Sequence, residues 1–209
     1  MIHKTTILIA GSGGFGREVL STIIDDGVYG NVFFFNDKLG SAPELLEVYG
    51  TYVILTSVQE IRSVLRDDIP FVCAAGLGRH RKRLREKLQR HCTLTSQVSR
   101  RAVISPFSSI GNGSIIQPNS AVSNDVHLGE CSLINTNAQI AHDTTVGDYV
   151  TIGSNVVILG RCIIGDFVSI HANSTILPNT RIGPHAIIAA GSIVDRDIQP
   201  FETFISGRR

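Results

Sequence analysis

From Val98 to Val194 the chain places an aliphatic residue at every sixth position, seventeen in succession without an insertion. The series runs through Ile104, Ile110, Ile116, Val122, Leu128, Ile134, Ile140, Val146 and on to Ile188. Two residues before the step stands a small or β-branched side chain, among them Ser108, Ser120, Val126, Ala138, Thr144, Val156, Cys162 and Ser174. The residue after it is often glycine, as at Gly111, Gly129, Gly147, Gly153, Gly165 and Gly183. A period of six scatters residues around a helix of about 3.6 per turn. It is even, so each step returns to the same face of an extended strand. Short strands joined by tight bends, each coil stacked on the last, satisfy it: a hexapeptide parallel β-helix. The aliphatic residue then points inward, and its predecessor must be small where three faces converge. Glycine beside the step is expected to supply positive φ at the bends. Three hexads per coil give between about five and six coils, a prism roughly 25–28 Å tall.

The chain before this array has a different rhythm. Residues Thr5 to Ala10 read as a buried strand. Gly11-Ser12-Gly13-Gly14-Phe15-Gly16 follows, then helical spacing from Arg17 to Ile24, with Val19, Leu20, Ile23 and Ile24 on one side. A second strand, Val32 to Phe35, ends at Asn36-Asp37. This is a βαβ unit with G-x-G-x-x-G at Gly11, Gly13 and Gly16 and an acid about 20 residues on, at Asp37. Such glycines let a backbone approach a phosphate at a helix N-terminus. By itself the motif admits a dinucleotide site, another nucleotide site or a tight structural turn. A strand is expected at Thr51–Thr56, a helix at Ser57–Leu65 with Ser57 as cap and Glu60 three residues later, and a buried strand at Phe71–Ala75. The helix Arg79–Arg90 is rich in base and reads as a largely solvated face, with Arg79 and His80 able to approach a phosphate. The boundary between the two rhythms falls near residue 92.

Composition narrows the class. The 209 residues carry a formal charge of +1, which argues against a nucleic-acid surface. Tryptophan is absent and aromatics are 6%, as suits a narrow prism. The apolar run near the N-terminus is too short for a signal h-region or a membrane span. Cys73, Cys92, Cys131 and Cys162 show no CxxC pairing, so a reduced, cytoplasmic chain without disulfides is expected. Of the prism histidines, His127, His142, His171 and His185 lie at gaps of 15, 29 and 14, which does not stack ligands for zinc. His142-Asp143 follows the inward Ile140 at a bend between faces. A neutral imidazole there suits removal of a proton from an attacking group.

The hexapeptide array resembles the left-handed β-helix acyltransferases. With the glycine-rich head and His142-Asp143, the whole chain resembles the sialic-acid O-acetyltransferase/sugar N-acetyltransferase family, whose best-understood members N-acetylate nucleotide-linked 4-amino sugars. The resemblance implies an α/β Rossmann-like N-terminal domain, residues 1–92, that holds a nucleotide-sugar, and a left-handed parallel β-helix, residues 93–209. It implies that Gly11, Gly13, Gly14 and Gly16 approach the nucleotide and that Asn36 and Asp37 face its base or ribose. Members often carry His where this chain has Phe15, and acids at both positions of Asn36-Asp37. It implies His142 as general base with Asp143 beside it, Asn135 as a substrate contact, and the Gly160 N–H, one coil above His142, as oxyanion donor. The bland readings of Asn135 and Gly160 are bend residues. A second histidine of some members is Thr151 here. Acetyl-CoA is the implied co-substrate, in a groove between prisms of a homotrimer; apart from the resemblance, Arg196, Arg208 and Arg209 are candidates to meet its phosphates. No metal, nucleic acid or membrane span is implied. The expected reaction is acetyl transfer to the 4-amino group of a nucleotide-linked deoxy-sugar. Sugar O-acetylation and a non-catalytic nucleotide-sugar-binding scaffold are the alternatives.

Overall fold

The computed structural model describes residues 5–39, 46–65 and 68–206, and the chain divides into two compact units, one of Met1–Gly76 with His80–Gln97 and one of Val98–Arg209 with Leu77–Arg79. The first contains β1 (Thr6–Ala10), α1 (Gly14–Asp26), β2 (Asn31–Phe35), β3 (Glu47–Val48), β4 (Tyr52–Leu55), α2 (Val58–Val64), β5 (Ile69–Cys73), α3 (Gly78–Leu88) and β6 (Cys92–Leu94). Its sheet runs β3-β4-β2-β1-β5-β6. Among these pairings only β3 with β4 is antiparallel. Central strands of a parallel sheet are covered on both faces and must be apolar throughout. Accordingly Ile7, Leu8, Ile9, Ala10, Phe34, Phe35, Phe71, Val72 and Cys73 are fully buried. β1 pairs β2 on one side and β5 on the other, so the chain changes direction of winding at β1. A crevice at the C-terminal ends of the strands is the consequence.

Local signals act as expected. The Ser57 hydroxyl accepts the Glu60 N–H at 3.2 Å, and the Glu60 carboxylate accepts the Thr56 N–H at 2.8 Å. α1 starts at Gly14 rather than at Arg17, because the glycine loop itself winds into the first turn. The basic helix α3 is not simply a solvated face: Arg81 is wholly buried. Its guanidinium donates to the carbonyls of Ala75 and Gly76 at 2.8 and 2.9 Å and so holds the turn after β5.

The second unit is a three-sided parallel β-helix, with sheets of seven, six and five short strands, one sheet per face. Each aliphatic residue pairs with the next of its face one coil on. One face stacks Ile116, Ile134, Ile152, Ile170 and Ile188. The others stack Val122, Ile140, Ile158, Ile176 and Val194, and Ile110, Leu128, Val146, Ile164 and Ile182. These and the small residues two positions earlier form one core. Val98, in the opening coil, remains 38% exposed.

The bends differ from expectation in an instructive way. Positive φ falls three residues after the aliphatic step, at Asn119, Asp125, Asn137, Asp143, Asn155, Asn173 and Asn179, and also at Cys131, Tyr149, Arg161, Phe167 and His185. Asn and Asp are the non-glycine residues that tolerate this conformation best. The glycines after the step have another cause. A Cβ on Gly129 would stand 2.5 Å from the Gly147 carbonyl carbon, and one on Gly165 2.6 Å from the Pro184 nitrogen. Successive coils approach too closely at that corner for any side chain. The segment after Val194 leaves the six-residue register and still pairs with the array. Ile198 bridges Ile182, and Thr203–Phe204 pairs with Ile187–Ile188. The last coil is two residues shorter than the others and is still a coil. Along one corner the rings of Tyr149, Phe167, His185 and Phe201 stack at 5.0, 4.9 and 4.7 Å.

Candidate functional site

Two places concentrate the predicted residues, one in each unit. In the first unit a cleft of about 300 Å³ lies over the glycine loop, lined by Gly11, Gly13, Gly14, Phe15, Asn36, Asp37 and Arg83 among others. Gly11 has φ +119, and a Cβ there would meet the Ala74 carbonyl oxygen at 2.4 Å. A Cβ on Gly16 would meet the Gly11 oxygen at 1.9 Å. These two glycines are demanded by the fold itself. Gly13 and Gly14 are not: a Cβ on either finds nothing within 4 Å. Their bareness faces open space at the start of α1, whose first turn carries no acid. That is a place where N–H groups and the helix dipole favour an anion.

The two residues after β2 do different things. The Asn36 amide donates to the Ser12 hydroxyl at 2.8 Å, and its carbonyl oxygen accepts the Lys38 N–H at 3.1 Å. The loop and the strand end are thereby tied together. Asp37 receives both terminal nitrogens of Arg83, at 2.9 and 3.0 Å, and the Lys87 ammonium at 2.6 Å. The Arg83 guanidinium, helped by Lys87, outweighs burial and holds the Asp37 carboxyl down at about 2. His80 lines the cleft; Arg79 is exposed and does not. Arg83 and Lys87 were missed in the sequence. The signal that exposes them is their spacing of four along α3, which puts both on one helix face.

In the second unit His142 sits at a corner of the prism, one residue before a positive-φ Asp143. That conformation turns the Asp143 carboxylate back onto the ring, and Nδ1–H of His142 donates to Oδ2 at 2.6 Å. A carboxylate only accepts, so this bond places a proton on Nδ1, and in the neutral ring the lone pair is then on Nε2. Both side chains are 53% exposed. Gly160 lies against the imidazole: a Cβ there would stand 2.7 Å from Cε1 and 2.9 Å from Nε2. Among the described residues no acceptor meets the Gly160 N–H. Its counterparts at other corners include Pro118, Pro178 and Pro184, which have no N–H, so the ladder does not use this position. Asn135 is placed at the preceding corner of the same coil, and its amide donates to the Ile152 carbonyl at 3.2 Å.

The remaining candidates separate from this corner. Arg196 is held by Glu202 at 2.6 Å and lies over the Phe204 ring at 5.2 Å, so it is engaged within its own coil. Arg208 and Arg209 lie outside the described residues. Among the described residues no group of three His, Cys, Asp or Glu side chains stands ready to hold a metal, and no helix is long and apolar enough to cross a membrane. Cys73, Cys92, Cys131 and Cys162 are all buried, and none forms a disulfide.

Comparison with known proteins follows the same division. Residues 6–88 match the model of the PglD N-terminal domain. Residues 125–160 and 161–196 match the model of the bacterial transferase hexapeptide, six repeats. The chain thus joins a PglD-type N-terminal domain to bacterial transferase hexapeptide repeats. Among solved structures, the acetyltransferase domain of PglB from Neisseria gonorrhoeae, in complex with acetyl coenzyme A, is 22% identical. It covers 96% of this chain and 95% of its own, with a TM-score of 0.85. A histidine variant of perosamine N-acetyltransferase from Caulobacter crescentus, with CoA and GDP-perosamine bound, is 22% identical over 95% of this chain and 92% of its own, at 0.83. WeeI from Acinetobacter baumannii is 22% identical over 95% of this chain and 96% of its own, at 0.72. No curated protein matches the chain. At this identity the structural likeness establishes the fold: an α/β N-terminal domain, then a left-handed hexapeptide prism.

Proposed function

We propose that this hexapeptide acyltransferase moves the acetyl group of acetyl-CoA to the 4-amino group of a nucleotide-linked deoxy-amino-sugar. The observation that carries the reading is the His142–Asp143 pair against Gly160: an imidazole with its Nδ1 proton anchored and Nε2 open, beside an unused backbone N–H. The N-terminal cleft, with bare glycines at the start of α1, suits the nucleotide. Solved relatives of the same fold bind acetyl coenzyme A, or CoA with GDP-perosamine.

In this reading the sugar amine arrives unprotonated at the thioester carbonyl. As the C–N bond forms, Nε2 of His142 takes the amine proton, and Asp143 stabilises the imidazolium through Nδ1–H. The Gly160 N–H receives the carbonyl oxygen as it gains charge. The C–S bond then breaks, and the CoA thiolate leaves with the proton returned by the imidazolium. Asn135 is assigned to substrate contact in the same coil. Acetyl-CoA is taken to lie in the groove between two prisms of a homotrimer, since one flat face offers half a groove.

The test is a coupled assay with acetyl-CoA and UDP-, dTDP- and GDP-linked 4-amino sugars. A hydroxylamine-stable amide is expected as product. A hydroxylamine-labile ester would instead mean O-acetylation, and absence of any acetyl-CoA binding would mean a scaffold. Replacing His142 with Ala is expected to lower kcat by about 10²–10⁴; a loss below about tenfold ends its assignment as base.

A further inference from the structure

We propose that Asp37 is a positioning residue that fixes Arg83 and Lys87 instead of reading a ribose, and that Arg83 is the cation that meets the phosphates in the cleft. This rests on the reading that the cleft holds a nucleotide. In a dinucleotide-binding βαβ unit the acid at the end of the second strand accepts a hydrogen bond from a ribose hydroxyl. That role needs an open carboxylate. Here Oδ1 of Asp37 accepts from Arg83, and Oδ2 accepts from both Arg83 and Lys87. Three of the roughly four lone-pair positions of a carboxylate are therefore taken. The side chain is only 10% exposed, while Arg83 and Lys87 are 46% and 39% exposed.

Charge completes the case. One anion holds two cations, so the cluster presents a net positive charge. The fork uses one N–H of each terminal nitrogen of Arg83, which leaves its Nε–H and one proton on each terminal nitrogen. Arg83 lines the same cleft as Gly13 and Gly14. The Lys87 ammonium stands 5.7 Å over the ring of Phe35, another wall of the cleft. A guanidinium braced by a carboxylate and facing an unobstructed helix start suits a diphosphate.

The test is calorimetric titration of the full chain with UDP, GDP and dTDP, with their nucleosides, and with dUDP and dGDP. The diphosphate that binds the native chain is expected to bind Arg83→Gln about tenfold more weakly or worse, with nucleoside affinity unchanged. Arg83→Lys, which keeps charge without the fork, is expected to recover part of the loss. Asp37→Asn is expected to weaken the diphosphate severalfold, and the ribo/2′-deoxy affinity ratio stays near one in both chains. Cooperative thermal unfolding and an unaltered far-ultraviolet dichroism spectrum of the two Arg83 variants check that the fold is intact. A tenfold ribo preference that Asp37→Asn abolishes would overturn the inference, as would unchanged diphosphate binding by Arg83→Gln. Failure of every nucleotide and nucleotide-sugar to bind while acetyl-CoA binds would overturn the nucleotide reading itself, and the inference with it.

Discussion

At the corner of the prism the imidazole of His142 is held from two sides. Asp143 grips Nδ1, and the absence of a side chain at Gly160 lets the ring lie flat. Gly160→Ala is therefore a probe of position. Its new methyl group would sit within 3 Å of the ring and push it from the amine. Expected is a fall in kcat of at least about tenfold, since small misplacements of a reacting group cost about that much or more. Stability is expected to change little beside it. Comparing kcat with a thermal midpoint checks both halves. Asp37 offers a second residue-scale outcome. Its folded pKa, about 2, lies below the ordinary carboxyl value of 3.8. A depressed carboxyl contributes stability that is fully present above the unfolded value and is lost as pH falls through the folded one. Urea unfolding of the native chain and of Asp37→Asn should therefore differ at pH 6, keep that difference down to about pH 4, and converge near pH 2. Curves that stay parallel into acid would show that the ion pairs contribute nothing.

Within a single coil, two kinds of residue make a sharp corner, and their reasons are distinct. The positive-φ site accepts Asn and Asp readily, yet aromatic residues hold it at Tyr149, Phe167, His185 and Phe201, where ring stacking offsets the backbone cost. The glycine after the aliphatic step is instead a matter of space between coils. Gly129→Ala would drive a methyl group to 2.5 Å from the Gly147 backbone, on which the next coil depends. Expected is a loss of about 2–3 kcal/mol in chemical denaturation. Gly13→Ala is the contrast, because nothing lies within 4 Å of its Cβ. There the stability change is expected to stay below about 1 kcal/mol, while nucleotide affinity drops. If Gly13→Ala unfolds the protein, or binds nucleotides as before, the glycine is not reserved for a ligand.

For the molecule as a whole, the proposed CoA groove makes a quantitative demand. The native protein should sediment at three times the 22.6 kDa chain, and a monomeric species with full activity would remove the need for a groove between prisms. The six-residue period made the array legible without coordinates, because an even period returns to one face and because only small residues fit where three faces meet. The glycine loop and His142-Asp143 were legible for a similar reason: each is contiguous along the chain. Much else was not. Asp37 and Arg83 lie 46 residues apart, and no local pattern announces that their side chains meet. The basic face of α3 likewise concealed Arg81, whose burial follows from carbonyls that only the turn after β5 brings together. The shortened final coil, carried by Ile198 and Phe204, has no period of its own to betray it.

Sequence alone determined what repeats and what adjoins, since covalent neighbours and a regular pitch already restrict where a side chain can point. Only the tertiary structure decided which charges pair, which glycines are crowded and which are bare, and that the Asp143 carboxylate turns to the ring. Each of those depends on distances between segments remote in the chain or on a backbone angle. Neither is written in residue order.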